Sequence, residues 1–156
     1  MSLFLRNLFF TILQPGIVAG LIPFLLIKRS LNTTLEQPFQ FYHFLGMLVF
    51  IVGFLLMMIC IINFAIRGKG TLSPADPTKR LVIVWPYTFS RNPMYLGVMM
   101  ILIGEGIFFQ SVAVGIYSLI IFMSFYMFVI NFEEPRLRET FGEEYDRYVK
   151  KVRRWI

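Results

Sequence analysis

The apolar run "PMYLGVMMILIGEGIFFQSVAVGIYSLIIFMSFYMFVINF", residues 93–132, decides the class of this protein. Glu105 is the one formally charged residue among its 40 positions. A single helix of that length would measure about 60 Å, roughly twice the hydrocarbon thickness of a bilayer. Because the polar pair Gln110–Ser111 divides the run, we predict two membrane-spanning helices joined by a tight turn, at residues 93–109 and 112–131.

The composition of the whole chain agrees with a membrane protein. Of its 156 residues, 57% are hydrophobic and only 15% are charged, against about 25% charged in ordinary soluble domains. Two more apolar stretches, residues 7–27 and 41–66, predict two further spans. Gln14–Gly16 ("QPG") and Pro23 predict a kink in the first of them. The sequence therefore predicts an all-α integral membrane protein, a single domain over residues 1–156, with about four transmembrane helices.

The distribution of Lys and Arg predicts how the spans are oriented. Lys28 and Arg29 lie on one side of the predicted spans, and the other 13 basic residues lie on the opposite side. Because basic residues are enriched in cytoplasmic loops, we predict that the loop 67–91, the tail 132–156 and both termini are cytoplasmic. The net charge of +6 is then an orientation signal. We expect no nucleic-acid partner, since the basic residues are interleaved with Glu and lie beside the spans.

The tail combines apolar and charged residues at helical spacing. Its apolar positions recur every three or four residues, which predicts a C-terminal amphipathic helix at the membrane interface, in contact with membrane lipids. Pro135 suits its first turn, and Gly142 is expected to break it into two pieces. Contact with lipid headgroups does not explain the adjacent carboxylates Glu133 and Glu134 at the membrane edge.

Metal and disulfide chemistry have little support in the sequence. The single cysteine, Cys60, lies inside an apolar run and suits a small buried hydrophobic position. The single histidine, His43, has no partner at metal-ligand spacing. We predict no metal site.

The stretch "SRNPMYLG", residues 90–97, opens the third predicted span. Asn92 is a good N-cap and Pro93 a good first helical residue, so the helix should start with free N–H groups that favour an anion. Arg91 adds a bidentate carboxylate binder, and Tyr95 lies one turn further on.

Small and acidic residues inside the third span allow two interpretations each. Gly97 and Gly104 are seven residues apart, which permits close approach of a neighbouring helix, the commoner case, or of a ligand. Glu105 is either an intramembrane functional acid or a side chain that snorkels to the outer interface, and we favour snorkelling.

Three quoted motifs together resemble a known family. "WPYTFSRNPMYLG" (85–97), "GEG" (104–106) and "EEPRLRETFGEEYDRYVKKVRRWI" (133–156) are similar, in order and spacing, to the isoprenylcysteine carboxyl methyltransferase and phospholipid methyltransferase superfamily. Trp85 stands where that family usually has Gly, and Asn92 where many of its carboxyl methyltransferases have His.

The resemblance implies an integral membrane methyltransferase with a pocket for S-adenosylmethionine. Arg91 and Glu134 are its catalytic candidates, and Val84 belongs to the apolar stretch "LVIVWPY" that suits the adenine. The remaining cofactor-binding candidates are Tyr87, Asn92, Pro93, Tyr95, Gly97, Gly104 and Glu133. The acceptor is expected to be lipophilic or lipidated, with a carboxylate favoured by the charge of Arg91 and a lipid amine as the other possibility.

Two other function classes remain open from the sequence. A sterol-reductase-like membrane enzyme shares the Asn-Pro-x-Tyr-x-Gly pattern but uses NADPH, and it usually has more spans. A small non-enzymatic transporter subunit would need polar residues along a path through the bilayer, whereas here they crowd one interface. The sequence leaves the oligomeric state and the identity of the acceptor open.

Overall fold

The computed structural model describes residues 15–28, 31–36, 38–63, 66 and 81–156. Within this part the chain forms helices and no strand, as predicted. The helices are α1 (Ile17–Ile27), α2 (Leu31–Glu36), α3 (Phe41–Asn63), α4 (Pro93–Phe108), α5 (Val112–Phe141) and α6 (Glu143–Lys151). Residues 7–14 of the first predicted span and residues 67–80 of the predicted loop lie outside the described residues.

Two of the described helices are long and apolar enough to cross a membrane. These are α3, with 23 residues, and α5, with 30. At 1.5 Å per residue, even the shorter one spans about 35 Å, more than the roughly 30 Å of a bilayer core. The charged part of α5 begins at Glu133, so its apolar part, residues 112–131, is the part that is suited to cross a membrane. The described part of α1 and all of α4 are shorter apolar helices, and the four-span arrangement stays a prediction.

The predicted hairpin between the third and fourth spans is confirmed as a pair of helices. α4 ends at Phe108, and Gln110 turns the chain with a φ of 48°. The Ser111 side chain then caps α5 by accepting a hydrogen bond from the Val114 N–H at 3.3 Å. The predicted boundaries are therefore right to within one residue at this turn. α3 is described from Phe41 to Asn63, and residues 64 and 65 of its predicted range lie outside the described residues.

Four glycines bring α3 and α4 into close antiparallel contact. Gly46 faces Gly104, and Gly53 faces Gly97, so each helix contributes two glycines seven residues apart. A Cβ added to Gly104 would lie 2.6 Å from the backbone nitrogen of Phe50, closer than any real side chain approaches. Helix packing through small residues, the commoner interpretation of this spacing, is what the structure shows.

A π-helical turn precedes a proline in two places. Residues Ile17–Leu21 form one before Pro23, and Val129–Glu133 form the other before Pro135. Proline has no N–H to complete the regular i→i−4 ladder, and a π turn is one local adjustment of that ladder. The kink predicted for the first span therefore falls where the structure has a π turn. The second π turn contains Glu133 and leads directly into Glu134.

The tail forms two helical pieces, as predicted. The last part of α5 runs to Phe141, Gly142 adopts a φ of 50°, and α6 follows. The buried side chains of Tyr145, Tyr148 and Val152 pack against Leu81 and against partly buried residues of the tail itself. The amphipathic pattern is confirmed, because the apolar side of the tail covers Leu81 of the preceding loop, and the placement of the tail at the membrane interface stays a prediction. We call residues 81–92 and 133–156 together the polar end.

Candidate functional site

The charged and polar residues that the sequence singles out meet at the polar end. The chain entering α4 supplies Arg91 and Asn92, the end of the π turn in α5 supplies Glu133 and Glu134, and residues 152–155 pass between them. Three segments distant in sequence therefore converge on one small volume.

Glu134 lies between two arginines. Its Oε1 is 3.1 Å from Nη1 of Arg91, whose side chain is only 9% exposed. Arg154 binds the same carboxylate with two parallel hydrogen bonds, from Nε to Oε1 at 2.7 Å and from Nη2 to Oε2 at 2.9 Å. Such bidentate, charge-assisted contacts are short, strong and geometrically specific.

The two arginines keep Glu134 ionised. Burial raises the pKa of its carboxyl, but the hydrogen bond from Arg154 and the charges of Arg91, Arg154 and Arg138 outweigh burial and hold the pKa below its usual range. The same hydrogen bond raises the pKa of Arg154. The network therefore holds a carboxylate, not a carboxylic acid, at neutral pH.

Arg91 has capacity for one more partner. Its backbone N–H donates to the carbonyl of Arg153 at 3.0 Å, and its Nη1 makes a long contact of 3.4 Å to the Tyr145 hydroxyl. Its Nε is buried and has no hydrogen-bond partner among the described residues. A buried guanidinium donor without a partner is costly, so this atom is a candidate donor to a ligand oxygen.

The role predicted for Asn92 as a side-chain N-cap is wrong. Asn92 does precede α4, and Pro93 does begin it, but the Asn92 amide makes no hydrogen bond to the helix N–H groups. It donates instead to the carbonyl of Arg154 at 2.9 Å, and Ser90 Oγ donates to the same carbonyl at 3.3 Å. The Asn92 side chain binds the C-terminal segment because this segment passes directly beside the start of α4.

Glu133 points away from the arginines. The Tyr95 hydroxyl of α4 donates to Glu133 Oε2 at 2.8 Å, and the Tyr95 ring packs 4.6 Å from that of Phe125. The two adjacent glutamates thus have different partners, one a neutral phenol and the other a pair of cations.

Val84 and Tyr87 form an apolar border of the site. Val84 packs against the buried cluster of Cys60, Val82 and Tyr87. The backbone carbonyl of Tyr87 accepts a hydrogen bond of 2.6 Å from the Tyr148 hydroxyl, whose pKa is raised by burial. Residues 81–83 form neither helix nor strand, and a turn follows them.

Three residues of α4 lie away from this volume. Gly97 and Gly104 are buried against the α3 backbone, which corrects the expectation that they contact a cofactor directly. Glu105 lies near the far end of α4, is partly exposed and has its Oε2 buried, and its snorkelling stays a prediction. Packing against α3 decides the position of the two glycines.

Sequence reasoning missed the contributions of Ser90 and Arg154. Ser90 appears in the quoted motif, but serine is common before helices and carries no further signal. Arg154 is one of seven basic residues in the tail, and spacing does not distinguish it from the other six. Only the path of the chain after α6 brings it to Glu134.

The comparisons with known proteins agree with the resemblance seen in the motifs. Residues 41–144 match the family model for phospholipid methyltransferases. An uncharacterized protein of Haemophilus influenzae is 35% identical over 63 residues, which is 40% of this chain and the full length of that protein. No solved structure matched the chain. The family match covers α3, α4, α5 and the Arg91–Glu134 pair, and on this basis the chain belongs to the phospholipid methyltransferase family.

Proposed function

We propose that this protein is an S-adenosylmethionine-dependent membrane methyltransferase that acts on a lipophilic acceptor. The observation that carries the proposal is the joined pair of contacts at the polar end, Arg91–Glu134 and Tyr95–Glu133, inside the part of the chain that matches the family.

The residues at the polar end suit the charges of S-adenosylmethionine. Its methionine part carries a carboxylate and an ammonium group. The unpartnered Nε of Arg91 is the candidate donor for the carboxylate, and the carboxylate of Glu134 is the candidate partner of the ammonium group. Val84 and Tyr87 provide an apolar border for the adenine. When bound, the cofactor supplies a methyl group on a sulfonium for in-line transfer.

The contribution of the chain to this reaction is chiefly positioning and exclusion of water. An in-line displacement depends on alignment and desolvation more than on acid or base chemistry. Arg91 is buried and held by Glu134, so it presents a rigid donor. Tyr95 holds Glu133 at 2.8 Å, beside the site, where that carboxylate can take up a proton from an amine acceptor.

The contacts favour an amine over a carboxylate as the acceptor. The sequence alone favours a carboxylate as the acceptor, because Arg91 is expected to lie near the reacting group. In the structure the charge of Arg91 is balanced by Glu134 at 3.1 Å. Glu133 is hydrogen bonded to the neutral Tyr95 hydroxyl and forms no ion pair with an arginine among the described residues, so it is the carboxylate left to take up a proton from an amine. We therefore place a lipid headgroup amine first and an isoprenylcysteine-like carboxylate second.

The proposal includes a topology with four spans and both termini in the cytoplasm. It is supported by the two candidate spans, by the antiparallel contact of α3 with α4, and by the distribution of basic residues. Reporter fusions after residues 30 and 156 test it. We expect opposite compartments for the two positions, with residue 156 cytoplasmic; an external residue 156 contradicts the orientation.

Transfer of a labelled methyl group tests the function directly. Purified protein in nanodiscs is incubated with methyl-labelled S-adenosylmethionine and either phosphatidylethanolamine or a prenylated cysteine. We expect label in the amine lipid. Label in the prenylated cysteine alone would keep the methyltransferase and reverse the acceptor, and no label together with no cofactor binding contradicts the proposal.

A further inference from the structure

We propose that Arg154 is a positioning residue of the cofactor site and that the C-terminal segment, residues 152–155, is one wall of that site. The inference rests on the proposed function for the identity of the ligand. It assigns a role to a residue that lies beyond the part of the chain matched by the family model.

The C-terminal segment is attached to both sides of the site. The Arg153 and Arg154 carbonyls accept hydrogen bonds from the residues entering α4, namely from the Arg91 N–H, the Ser90 hydroxyl and the Asn92 amide. The Arg154 guanidinium binds Glu134 of α5. The Trp155 ring lies 5.5 Å from the ring of Phe122, which is in α5 like Glu134. The segment therefore ties the start of α4 to α5.

The way Arg154 binds Glu134 decides how Arg91 is used. Arg154 engages both carboxylate oxygens, so Arg91 meets one oxygen only, through Nη1, and its Nε stays open. Without Arg154, Glu134 is free to turn and form its own two-pronged pair with Arg91. That pair would consume the Nε donor. Arg154 thus keeps Arg91 available to a ligand carboxylate by holding Glu134 in its place.

This arrangement predicts that the effects of substituting Arg154 and Glu134 on ligand binding are not additive. If Arg154 acts through Glu134, removing its charge weakens ligand binding only while Glu134 is present as a carboxylate. Two substitutions that break the same contact are not additive, whereas two independent structural defects are. A role of the C-terminal segment that does not act through Glu134 would therefore give additive losses.

The experiment is a double-substitution cycle on the full-length protein in detergent. S-adenosylhomocysteine is titrated into wild-type protein, Arg154→Gln, Glu134→Gln, the double variant and Arg147→Gln, an exposed arginine of α6 that serves as the matched control. Thermal melts of the same ligand-free proteins report the Arg154–Glu134 contact independently of the ligand.

We expect Arg154→Gln to weaken binding by about 10-fold or more, as for a hydrogen bond to a charged group, and the double variant to bind no more weakly than Glu134→Gln. The melting shifts should be non-additive in the same way, and Arg147→Gln should match wild type. Wild-type-like affinity in Arg154→Gln, or additive losses in affinity, overturns the inference and leaves the proposed function standing. Absence of binding in the wild type overturns the proposed function and the inference with it.

Discussion

The contact between α3 and α4 and the network that joins the start of α4 to α5 are built by opposite means. Between α3 and α4 the backbones meet through paired glycines, with no room for a Cβ at Gly46, Gly53, Gly97 or Gly104. At the polar end, the side chains of Arg91 and Arg154 converge on the carboxylate of Glu134.

The comparison shows that the close fit of small residues holds α3 against α4, whereas paired charges hold the polar end together. In an apolar environment the hydrophobic effect does not drive helices together, so close packing of small residues has to do so. At the polar end, in contrast, a charge that is removed from water destabilises the protein unless it is fully paired. The geometry of that pairing is therefore specific. Substitutions in the first region should change folding, and substitutions in the second should change binding.

The largest effect is expected from Gly104→Leu. A Cβ there would lie 2.6 Å from the Phe50 nitrogen and 2.7 Å from the Gly46 carbonyl oxygen, and both are backbone atoms that cannot move away alone. We expect loss of the α3–α4 contact and no monodisperse protein on size-exclusion chromatography. Gly115→Leu is the matched control, because nothing lies within 4 Å of a Cβ at that helical position. Normal folding of Gly104→Leu would refute the packing account.

Glu134→Gln should affect binding more than folding. It keeps the shape of the side chain and removes the charge that Arg91 and Arg154 share. Losing one partner of a largely desolvated charge pair, here the proposed pair of Glu134 with the ligand's ammonium group, costs about 2–5 kcal/mol, so S-adenosylhomocysteine affinity should fall at least ~30-fold. Titration calorimetry measures the affinity, and a melt shows whether the protein is folded. Unchanged affinity in a folded variant would place the pocket elsewhere.

Tyr95→Phe tests the second carboxylate. It removes the hydroxyl that donates to Glu133 at 2.8 Å and keeps the ring packed on Phe125. A hydrogen bond to a charged group contributes about 1.5–3 kcal/mol, so we expect roughly a 10-fold loss of turnover. Cofactor affinity should change less than turnover, because Glu133 is proposed to act on the acceptor. The opposite split would assign Glu133 to the cofactor.

The smallest of these effects is expected from Asn92→Ala. The variant loses one neutral hydrogen bond, from the amide to the Arg154 carbonyl at 2.9 Å, worth about 1 kcal/mol. Ser90 still holds the same carbonyl. We expect a small decrease in melting temperature and a decrease in affinity of a few fold. The conservative Lys150→Arg, on the exposed side of α6, should change neither, and a larger effect there than at Asn92 would contradict the assignment of the site to the contacts among Arg91, Glu134 and Arg154.

The periodic and compositional features of the sequence predict the fold well. Apolar runs locate α3, α4 and α5, the Gln110–Ser111 pair locates the hairpin turn, and Gly142 locates the break in the tail, because each depends on local chemistry.

The candidate site is predictable only in part. Arg91 and Glu134 are recognisable from their motifs, and the structure brings them to 3.1 Å. The side-chain role of Asn92 and the importance of Arg154 depend on the path of residues 152–155, which no periodicity encodes. Glycine spacing alone does not distinguish contact with a neighbouring helix from contact with a bound molecule. The sequence therefore could not show that Gly97 and Gly104 pack against α3.

Titration of S-adenosylhomocysteine into wild-type protein and Arg91→Lys is the most direct test of the central claim, that the polar end binds S-adenosylmethionine. Lysine keeps the positive charge but lacks the planar guanidinium that meets Glu134 and leaves Nε open. We predict micromolar-range binding to the wild type, roughly −8 kcal/mol, no heat with NADPH, and at least ~30-fold weaker binding to folded Arg91→Lys. Equal affinity for wild type and Arg91→Lys, or saturable binding of NADPH without binding of S-adenosylhomocysteine, would contradict the claim.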